Sequence, residues 1–263
     1  MASLKDIRRR ISSVKSIEQV TKAMKMVAAA KLRRAQNNML QARPYANRVR
    51  NVLHTLLPQI DRQTLPVLRI SEEVGRSLVV AVTSDRGMAA GFNSNLIRRA
   101  QATIDELGRD TVDIICIGKK GRDHFVRRGY NVVAEHVDFW SALDFQHAMQ
   151  FGREVVSSYV GGSVDQVLVV FNEFVNVIRQ DVKLEKLLPL AVEAGDNIET
   201  AEVLFEPSME AVVESLVPRH LNIQVWRYLL ESYASEQAAR MTAMDNATQN
   251  AEDVIERLQL EFN

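Results

Sequence analysis

The chain has 263 residues, of which 46% are hydrophobic and 25% are charged, a balance typical of a globular protein with one or two domains. A formal net charge of +0 excludes an overall polyanion or polycation, and a single cysteine excludes an internal disulfide. No apolar run is long enough to cross a membrane, and the amino terminus lacks a hydrophobic signal core, so secretion is not expected.

The first predicted element is a long helix over residues 1–57, with Ser3 and Asp6 as its cap. It would be about 80 Å long at 1.5 Å per residue, and Pro44 is expected to kink or interrupt it. Apolar residues that recur every three or four positions predict one coiled-coil stripe. The stripe consists of Ile7, Ile11, Val14, Ile17, Met24, Val27 and Leu32, extended by Ala28 and Ala35. Such a helix has no core of its own and needs a partner along its length.

Residues 58–75 predict an irregular connection, and residues 76–207 predict a Rossmann-like α/β lobe. Helices are expected at 93–107, 118–128 and 142–160. Strands are expected at 78–82, 112–117, 131–133, 166–171 and 182–190, the last of them at a sheet edge. Strands that alternate with helices indicate a mainly parallel sheet with helices on its faces.

Residues 208–263 predict a helical arm rich in alanine, in which Pro218 ends a short helix and opens a longer one. Residues 1–50 carry thirteen Lys or Arg against Asp6 and Glu18, a local charge of +11, whereas residues 208–263 carry four Arg against nine acidic residues, a local charge of −5. The opposite charges and the small side chains predict that the two arms pack together. The predicted fold is therefore α/β plus all-α, an antiparallel coiled coil of both termini with an inserted lobe.

No motif in the sequence predicts a catalytic centre, a cofactor or a metal site. The five histidines lack paired metal-ligand spacing, and Cys116 lies in an apolar strand, which favours a buried thiol over a nucleophile. There is no Gly-x-Gly-x-x-Gly, phosphate-binding loop or Gly-x-Ser-x-Gly. The run Gly118-Lys119-Lys120-Gly121 could clamp a nucleic-acid backbone, but its position between a strand and a helix favours a turn.

The basic face of residues 5–50 leaves two classes of partner open. It could bind phosphates, which gives the alternative of a basic coiled-coil nucleic-acid-binding protein. An acidic helix in the same chain and a long apolar stripe favour acidic protein surfaces instead. A free-standing enzyme on the α/β lobe is a further alternative, and it would require a pocket with convergent polar groups.

Four stretches resemble the gamma subunit of the rotary proton-translocating ATP synthase, in the same order along the chain. They are residues 22–35 (KAMKMVAAAKLRRA), Arg43-Pro44-Tyr45, Ser84-Asp85-Arg86-Gly87 and residues 236–247 (EQAARMTAMDNA). The resemblance is to bacterial members, because the dithiol insertion of photosynthetic relatives is absent. Two departures are the run Met88-Ala89-Ala90-Gly91, where relatives carry Leu-Cys-Gly-Gly, and an end at Asn263, where relatives continue into a further helical tip.

The resemblance implies a non-catalytic rotor shaft that couples proton flow through the membrane ring to ATP synthesis or hydrolysis at beta-subunit sites. The implied partners are the alpha and beta subunits of the head, the epsilon subunit and the c-subunit ring, with no nucleic acid. Membrane association would occur only through the complex, on the cytoplasmic face of the bacterial plasma membrane. The expected partner-contact residues are Met24, Lys25, Lys31, Arg34 and Arg240.

Overall fold

The computed structural model describes residues 4–61, 65–71, 73–190, 206 and 208–262, so the predicted cap at Ser3 lies outside the described residues. Two long helices form a shaft: α1 (Leu4–Leu56) and α5 (Met209–Phe262). They run antiparallel, because Thr21 Oγ1 lies 2.7 Å from Thr248 Oγ1, and Lys25 Nζ lies 2.6 Å from Asp245 Oδ1. The predicted antiparallel pairing of the two arms is confirmed.

Both long helices continue through an internal proline. Pro44 lies within α1 and Pro218 within α5, so the prediction that Pro218 separates two helices is wrong. Each proline removes one backbone hydrogen bond. Both lie on exposed faces, where water can satisfy the carbonyl group that loses its donor. Packing of the buried face on the opposite arm then keeps the helix continuous.

The buried seam of α1 has heptad spacing, and it follows the predicted stripe at Ile7, Ala28, Leu32 and Ala35 but departs from it at two positions. Its buried members are Ile7, Thr21, Ala28, Leu32, Ala35, Val49, Leu53 and Leu56, separated by steps of three and four or by whole heptads. Ile17 and Val27, which the sequence placed in the seam, are each 55% exposed. Polar Thr21 is buried because its hydroxyl pairs with Thr248, and Lys25 lies beside the seam because it pairs with Asp245.

The lobe is a five-stranded sheet in the order β3-β2-β1-β4-β5. The strands are β1 (Ser77–Val82), β2 (Val112–Ile117), β3 (Val132–His136), β4 (Gln166–Phe174) and β5 (Gln180–Leu188). The helices are α2 (Phe92–Leu107), α3 (Lys119–Arg127) and α4 (Phe145–Val160). The first four strands are parallel and β5 is antiparallel at the edge, so the predicted Rossmann-like lobe is confirmed.

Alternate residues of each central strand face opposite sides of the sheet. In β1, Leu78 and Val80 face the core shared with α4, α5 and the end of α1, whereas Val79 and Ala81 face α2 and α3. The segment after α1 also contributes to the first core, through buried Leu57, Ile60, Leu65 and Leu68. The domain boundaries expected after residues 57, 75 and 207 remain predictions.

Helix α5 also completes the edge of β4 where β1 has ended. The pairing of β1 with β4 stops at Ala81 and Val170, and β4 continues to Phe174. There the Asn172 N–H donates to Ser232 Oγ, and Ser235 Oγ donates to the Asn172 carbonyl, each at 3.2 Å. The small side chains of α5 thus satisfy backbone groups that a neighbouring strand would otherwise pair. Shaft and lobe are joined by hydrogen bonds as well as by a common core.

Candidate contact surface where shaft and lobe meet

A cleft of about 590 Å³ lies between the shaft and the lobe, and we call it the junction cleft. One wall is α1 from Val20 to Lys31, and the other is the loop of residues 85–88 that follows β1. Trp140 and Tyr233 also line it, with their rings stacked at 5.9 Å between centroids. Trp140 Nε1 is buried with no hydrogen-bond partner among the described residues.

The Ser84-Asp85-Arg86-Gly87 motif forms the lobe side of the junction cleft. Asp85 accepts hydrogen bonds from the backbone N–H groups of Lys119 and Asp138, each at 2.9 Å. One carboxylate therefore joins the loops that follow β1, β2 and β3. Two non-glycine residues of the next turn, Met88 and Ala90, have φ of 58° and 46°. This left-handed backbone is uncommon outside glycine, and it marks a turn that the surrounding contacts hold in place.

Arg240 fastens this loop to the shaft. Its guanidinium donates to Glu236 Oε1 at 2.6 Å and to the Gly87 carbonyl at 3.3 Å, and both charged side chains are largely buried. Ala89 packs on Ala239 beside it. The described hydrogen bonds of Arg240 are therefore internal, and its contact with a partner subunit remains a prediction.

The other four expected contact residues lie on α1 in different settings. Met24 is half-buried and lines the junction cleft together with exposed Lys31. Lys25 is turned toward α5 by its ion pair with Asp245. Arg34 is exposed one turn beyond Lys31. The junction cleft thus brings together Met24, Lys31 and Arg240, whereas Lys25 belongs to the contact between the two arms.

A second apolar stripe on α1 is not covered by α5. Ile17, Val20 and Val27 are each more than half exposed, and Met24 continues the same spacing of three and four residues. Val20, Met24 and Val27 line the junction cleft. Sequence reasoning assigned most of this stripe to the seam, because periodicity reveals an apolar face without telling which surface it meets. The lobe residues of the cleft gave no sequence signal beyond the Ser-Asp-Arg-Gly motif.

Helix α5 covers the place between β1 and β4 where folds of this type bind nucleotides, and the junction cleft is open beside it. Such sheets bind ligands at the carboxyl ends of the strands where the strand order reverses, which here is between β1 and β4. Ser232 and Ser235 of α5 bond β4 there, and Arg240 bonds the loop after β1. The shaft helix itself occupies this region. In the described part of the chain, no three metal-ligating side chains come together.

Two sequence predictions about single sites are confirmed. Gly118 has φ of +90°, and a Cβ there would lie 2.3 Å from the Thr83 carbonyl oxygen, so the turn from β2 into α3 requires glycine at this position. Cys116 is fully buried in β2, and burial raises the pKa of its thiol to about 12. The thiol is therefore neutral at physiological pH and sheltered from oxidants.

A family model described as ATP synthase matches residues 3–263. The ATP synthase gamma chain of Chlorobaculum parvum is 48% identical, and that of Chlorobaculum tepidum is 46% identical; each alignment covers 100% of this chain and 92% of the relative. This chain belongs to the ATP synthase gamma chain family. The match over the whole length means that the shaft and the lobe, and not the lobe alone, define membership.

Solved structures of other ATP synthases contain chains with the same architecture. The central stalk and c-ring structure of the Tetrahymena thermophila mitochondrial ATP synthase contains a chain that superposes with a TM-score of 0.68 at 26% identity, over 87% of this chain and 99% of that one. A rotor chain of the Euglena gracilis mitochondrial ATP synthase superposes with a TM-score of 0.69 at 23% identity, over 99% of this chain and 96% of that one. This likeness supports the fold alone. None of the described helices is long and apolar enough to span a membrane.

Proposed function

We propose that the exposed stripe of α1 is the surface through which this chain acts on the beta subunits of a rotary ATP synthase. The chain is a non-catalytic subunit of the central stalk, in line with its family and with the names of its relatives. Its partners are those of the stalk: the alpha and beta subunits, the epsilon subunit and the c-ring. The alternative of a nucleic-acid-binding coiled coil finds no support among the relatives.

The observation that carries the proposal is the exposure of this stripe. Val20 and Val27 are 58% and 55% exposed on a helix whose other apolar face is already satisfied by α5. Lys31 and Arg34 continue the same side of α1 as exposed cations. An apolar strip that ends in positive charge suits a partner that presents apolar side chains beside carboxylates. We therefore assign Met24, Lys31 and Arg34 to contact with the head, and Lys25 and Arg240 to holding the shaft and lobe in shape.

The mechanism follows from the asymmetry of the shaft. The stripe occupies one side of α1 only, and the lobe is fixed beside it by Arg240, which donates to the Gly87 carbonyl. Three beta subunits around such a shaft meet different surfaces at the same time. A partner shifts a conformational equilibrium only by binding its states unequally, so each beta site is biased differently and rotation exchanges the biases. The nucleotide chemistry belongs to the beta subunits.

The chain is part of the ATP synthase complex, and we place it peripherally on the cytoplasmic face of a bacterial plasma membrane. The support for this location is the set of bacterial relatives at 48% and 46% identity. Attachment to the membrane would run through the c-ring. Membrane vesicles prepared with either face outward, and treated with protease, would report which face exposes the chain.

The function is tested by reconstitution. The purified chain should hydrolyse no ATP, and adding it to alpha and beta subunits should give a stable, active complex. Replacing Val20 and Val27 with Asp should weaken the coupling of ATP hydrolysis to ion pumping, whereas Met26→Asp, on an exposed face outside the cleft, should leave it intact. Saturable ATP turnover by the chain alone, or equal effects of the two variants, would contradict the proposal.

A further inference from the structure

A groove of about 570 Å³ lies on the lobe between α2 and α3, and we call it the α2–α3 groove. Its lining residues recur every three or four positions, between Asn93 and Gln101 on α2 and between Lys120 and Arg127 on α3. One side of each helix therefore faces the groove. It shares no lining residue with the junction cleft, so the proposed contact with the head does not account for it.

Positive charge dominates the α2–α3 groove. Its lining includes four exposed cationic side chains: Arg98, Lys120, Arg127 and Arg128. Within the part of the chain that the structure describes, none of the four forms an ion pair. The carboxylate in the lining is Asp123, which accepts a hydrogen bond from Arg122 Nε at 2.8 Å. The four cations thus face one carboxylate that already has a partner outside the groove.

Helix dipoles explain only part of this charge. The two arginines at the carboxyl end of α3 lie where the dipole favours cations. Lys120 lies in the first turn of α3, where the dipole disfavours a cation, and Arg98 lies in the middle of α2. The neighbouring Lys119 has a local solution, because its ammonium pairs with Asp138 at 2.8 Å. Lys120 and Arg98 lack such a carboxylate, so an anion bound between the helices would stabilise both.

We propose that the α2–α3 groove binds a soluble oligophosphate, a chain of linked phosphate groups carried by an inorganic ion or by a nucleotide. Lys120 and Arg127 lie two helical turns apart, which is about 10 Å along the axis of α3. A single phosphate ion would reach the cations at one end of the groove, whereas linked phosphates can contact both ends. Lysine and arginine donate charge-assisted hydrogen bonds to phosphate oxygens, and a guanidinium can bind two oxygens at once.

His124 provides a titratable reporter inside the groove. Its Nδ1 lies 2.7 Å from Arg128 Nη1, and its Nε2 lies 3.2 Å from Gln101 Oε1 on α2. Burial and the charge of Arg128 lower the pKa of His124, so the imidazole is neutral at pH 7. The other charged groups of the groove are Asp123 and the remaining three cations. A phosphate group beside the imidazole favours its protonated form, so binding near pH 7 should take up part of a proton at His124.

Isothermal titration calorimetry of the purified full chain with sodium tripolyphosphate tests the site. We expect saturable binding that weakens with added salt, and a heat that varies with the ionisation enthalpy of the buffer because a proton is taken up. Arg98→Gln should weaken binding several-fold, and His124→Gln should abolish the proton uptake. Arg99→Gln is the matched control, because Arg99 is the next residue of α2, is exposed and lies outside the groove. Its affinity should equal that of the unchanged chain, and circular dichroism would verify that each variant is folded.

ATP and vesicles of phosphatidylglycerol distinguish the possible sources of phosphate. An affinity for ATP above that for tripolyphosphate assigns a nucleotide to the groove, and an equal or lower affinity assigns the phosphate chain alone. Four results would overturn the proposal. They are no saturable binding of either compound, equal losses of affinity in Arg98→Gln and Arg99→Gln, proton uptake that persists in His124→Gln, and Arg98-dependent binding to the vesicles that tripolyphosphate does not displace.

Discussion

Burial disfavours the charged forms of the Glu231 carboxyl and the Cys116 thiol. Burial, opposed by Arg227 and reinforced by Glu173 and Glu185, raises the pKa of Glu231 to about 7, and burial raises the pKa of Cys116 to about 12. Neither group serves a catalytic centre. Strongly perturbed titration is a useful pointer to active sites, but here it reflects the packing of a long helix on a sheet.

The pKa of Glu231 predicts how stability depends on pH. Because the native pKa is raised to about 7 from an unfolded value near 4.5, the native protein holds this proton more tightly than the unfolded chain. Its contribution to stability is fully present below about pH 4.5, falls as the pH rises toward 7, and then stays low. The difference between the native and unfolded pKa values corresponds to at most about 3 kcal/mol of unfolding free energy. Glu231→Gln should remove this slope of the unfolding free energy against pH, which chemical denaturation at a series of pH values would measure.

A matched carboxylate separates this effect from general charge effects. Glu252 lies on an exposed face of the same helix, so Glu252→Gln should leave the slope between pH 4.5 and 7 unchanged. If Glu231→Gln kept the wild-type slope, the carboxylate would have to be ionised and paired in the native protein. The raised pKa would then be refuted.

The Cys116 thiol should be inert in the folded protein. Its high pKa keeps the thiolate population very small, and the surrounding strands of the sheet exclude reagents. A maleimide should therefore label native protein far more slowly than protein unfolded in guanidinium, and reductant should not change ATPase activity of the complex. Rapid labelling without denaturant would show that β2 opens locally.

At the scale of elements, long-range polar pairs explain where sequence reasoning failed. Strands such as β1 and β2 were located within a residue or two, because their apolar runs are local and unambiguous. The seam of α1 was misassigned at Ile17 and Val27. There the buried face contains Thr21, whose partner Thr248 is 227 residues away in the chain. A pattern read along one helix cannot reveal that a polar residue will be satisfied by another.

Alanine at the seam sets how closely the two arms approach. Ala35 is fully buried against Ala234 and Ala238, where larger side chains would not fit without moving the helices apart. Ala35→Leu should destabilise the protein by about 1–3 kcal/mol through overpacking. Ala30→Leu, the same change at an exposed position of α1, should cost much less, because leucine forms helices nearly as well as alanine.

Urea unfolding followed by circular dichroism gives both free energies. A loss of stability at residue 35 no larger than at residue 30 would mean that the arms separate easily at this level. The seam would then not be the close contact that the buried alanines imply. Equal slopes of the unfolding curves in the two variants are required for the comparison to concern stability alone.

At the scale of the whole molecule, the shaft and the lobe form one body because α5 belongs to both. Its seam face packs on α1, and the same helix pairs with β4 through Ser232 and Ser235. The helix also fills the region where a related sheet would hold a nucleotide. An α/β fold that commonly binds nucleotides here packs on the shaft helix and holds it in place, as suits a subunit that transmits motion.

The contact surface could be predicted only in part, and the reason is its tertiary origin. Met24 and Lys31 were expected to contact partners, and they line the junction cleft. Arg240 was expected to do the same, but its bonds to Glu236 and Gly87 depend on the lobe folding back onto α5. No sequence pattern within one element predicts that contact between the lobe and α5.

Met24→Lys tests whether the junction cleft transmits torque. The variant keeps side-chain length and helix propensity, so the shaft should still form. Its new ammonium would enter a cleft that already contains Lys31 and Arg240, and that is lined by Glu236 of α5 and by Asp85 and Asp138 of the lobe. It would either repel these cations or pair with one of these carboxylates, and each outcome changes the relative energies of the rotor angles. About 1.4 kcal/mol is tenfold in such an equilibrium.

Ion pumping and ATP synthesis should therefore fall more than ATP hydrolysis in Met24→Lys. Both activities would be measured in reconstituted vesicles, beside Met26→Lys as the control. Met26 is 62% exposed and lies outside the cleft, so a lysine there adds the same charge to the same helix without entering the contact surface. Proportional losses of synthesis and hydrolysis in Met24→Lys would reduce its role to assembly. Equal uncoupling by both variants would trace the effect to the charge of α1 as a whole.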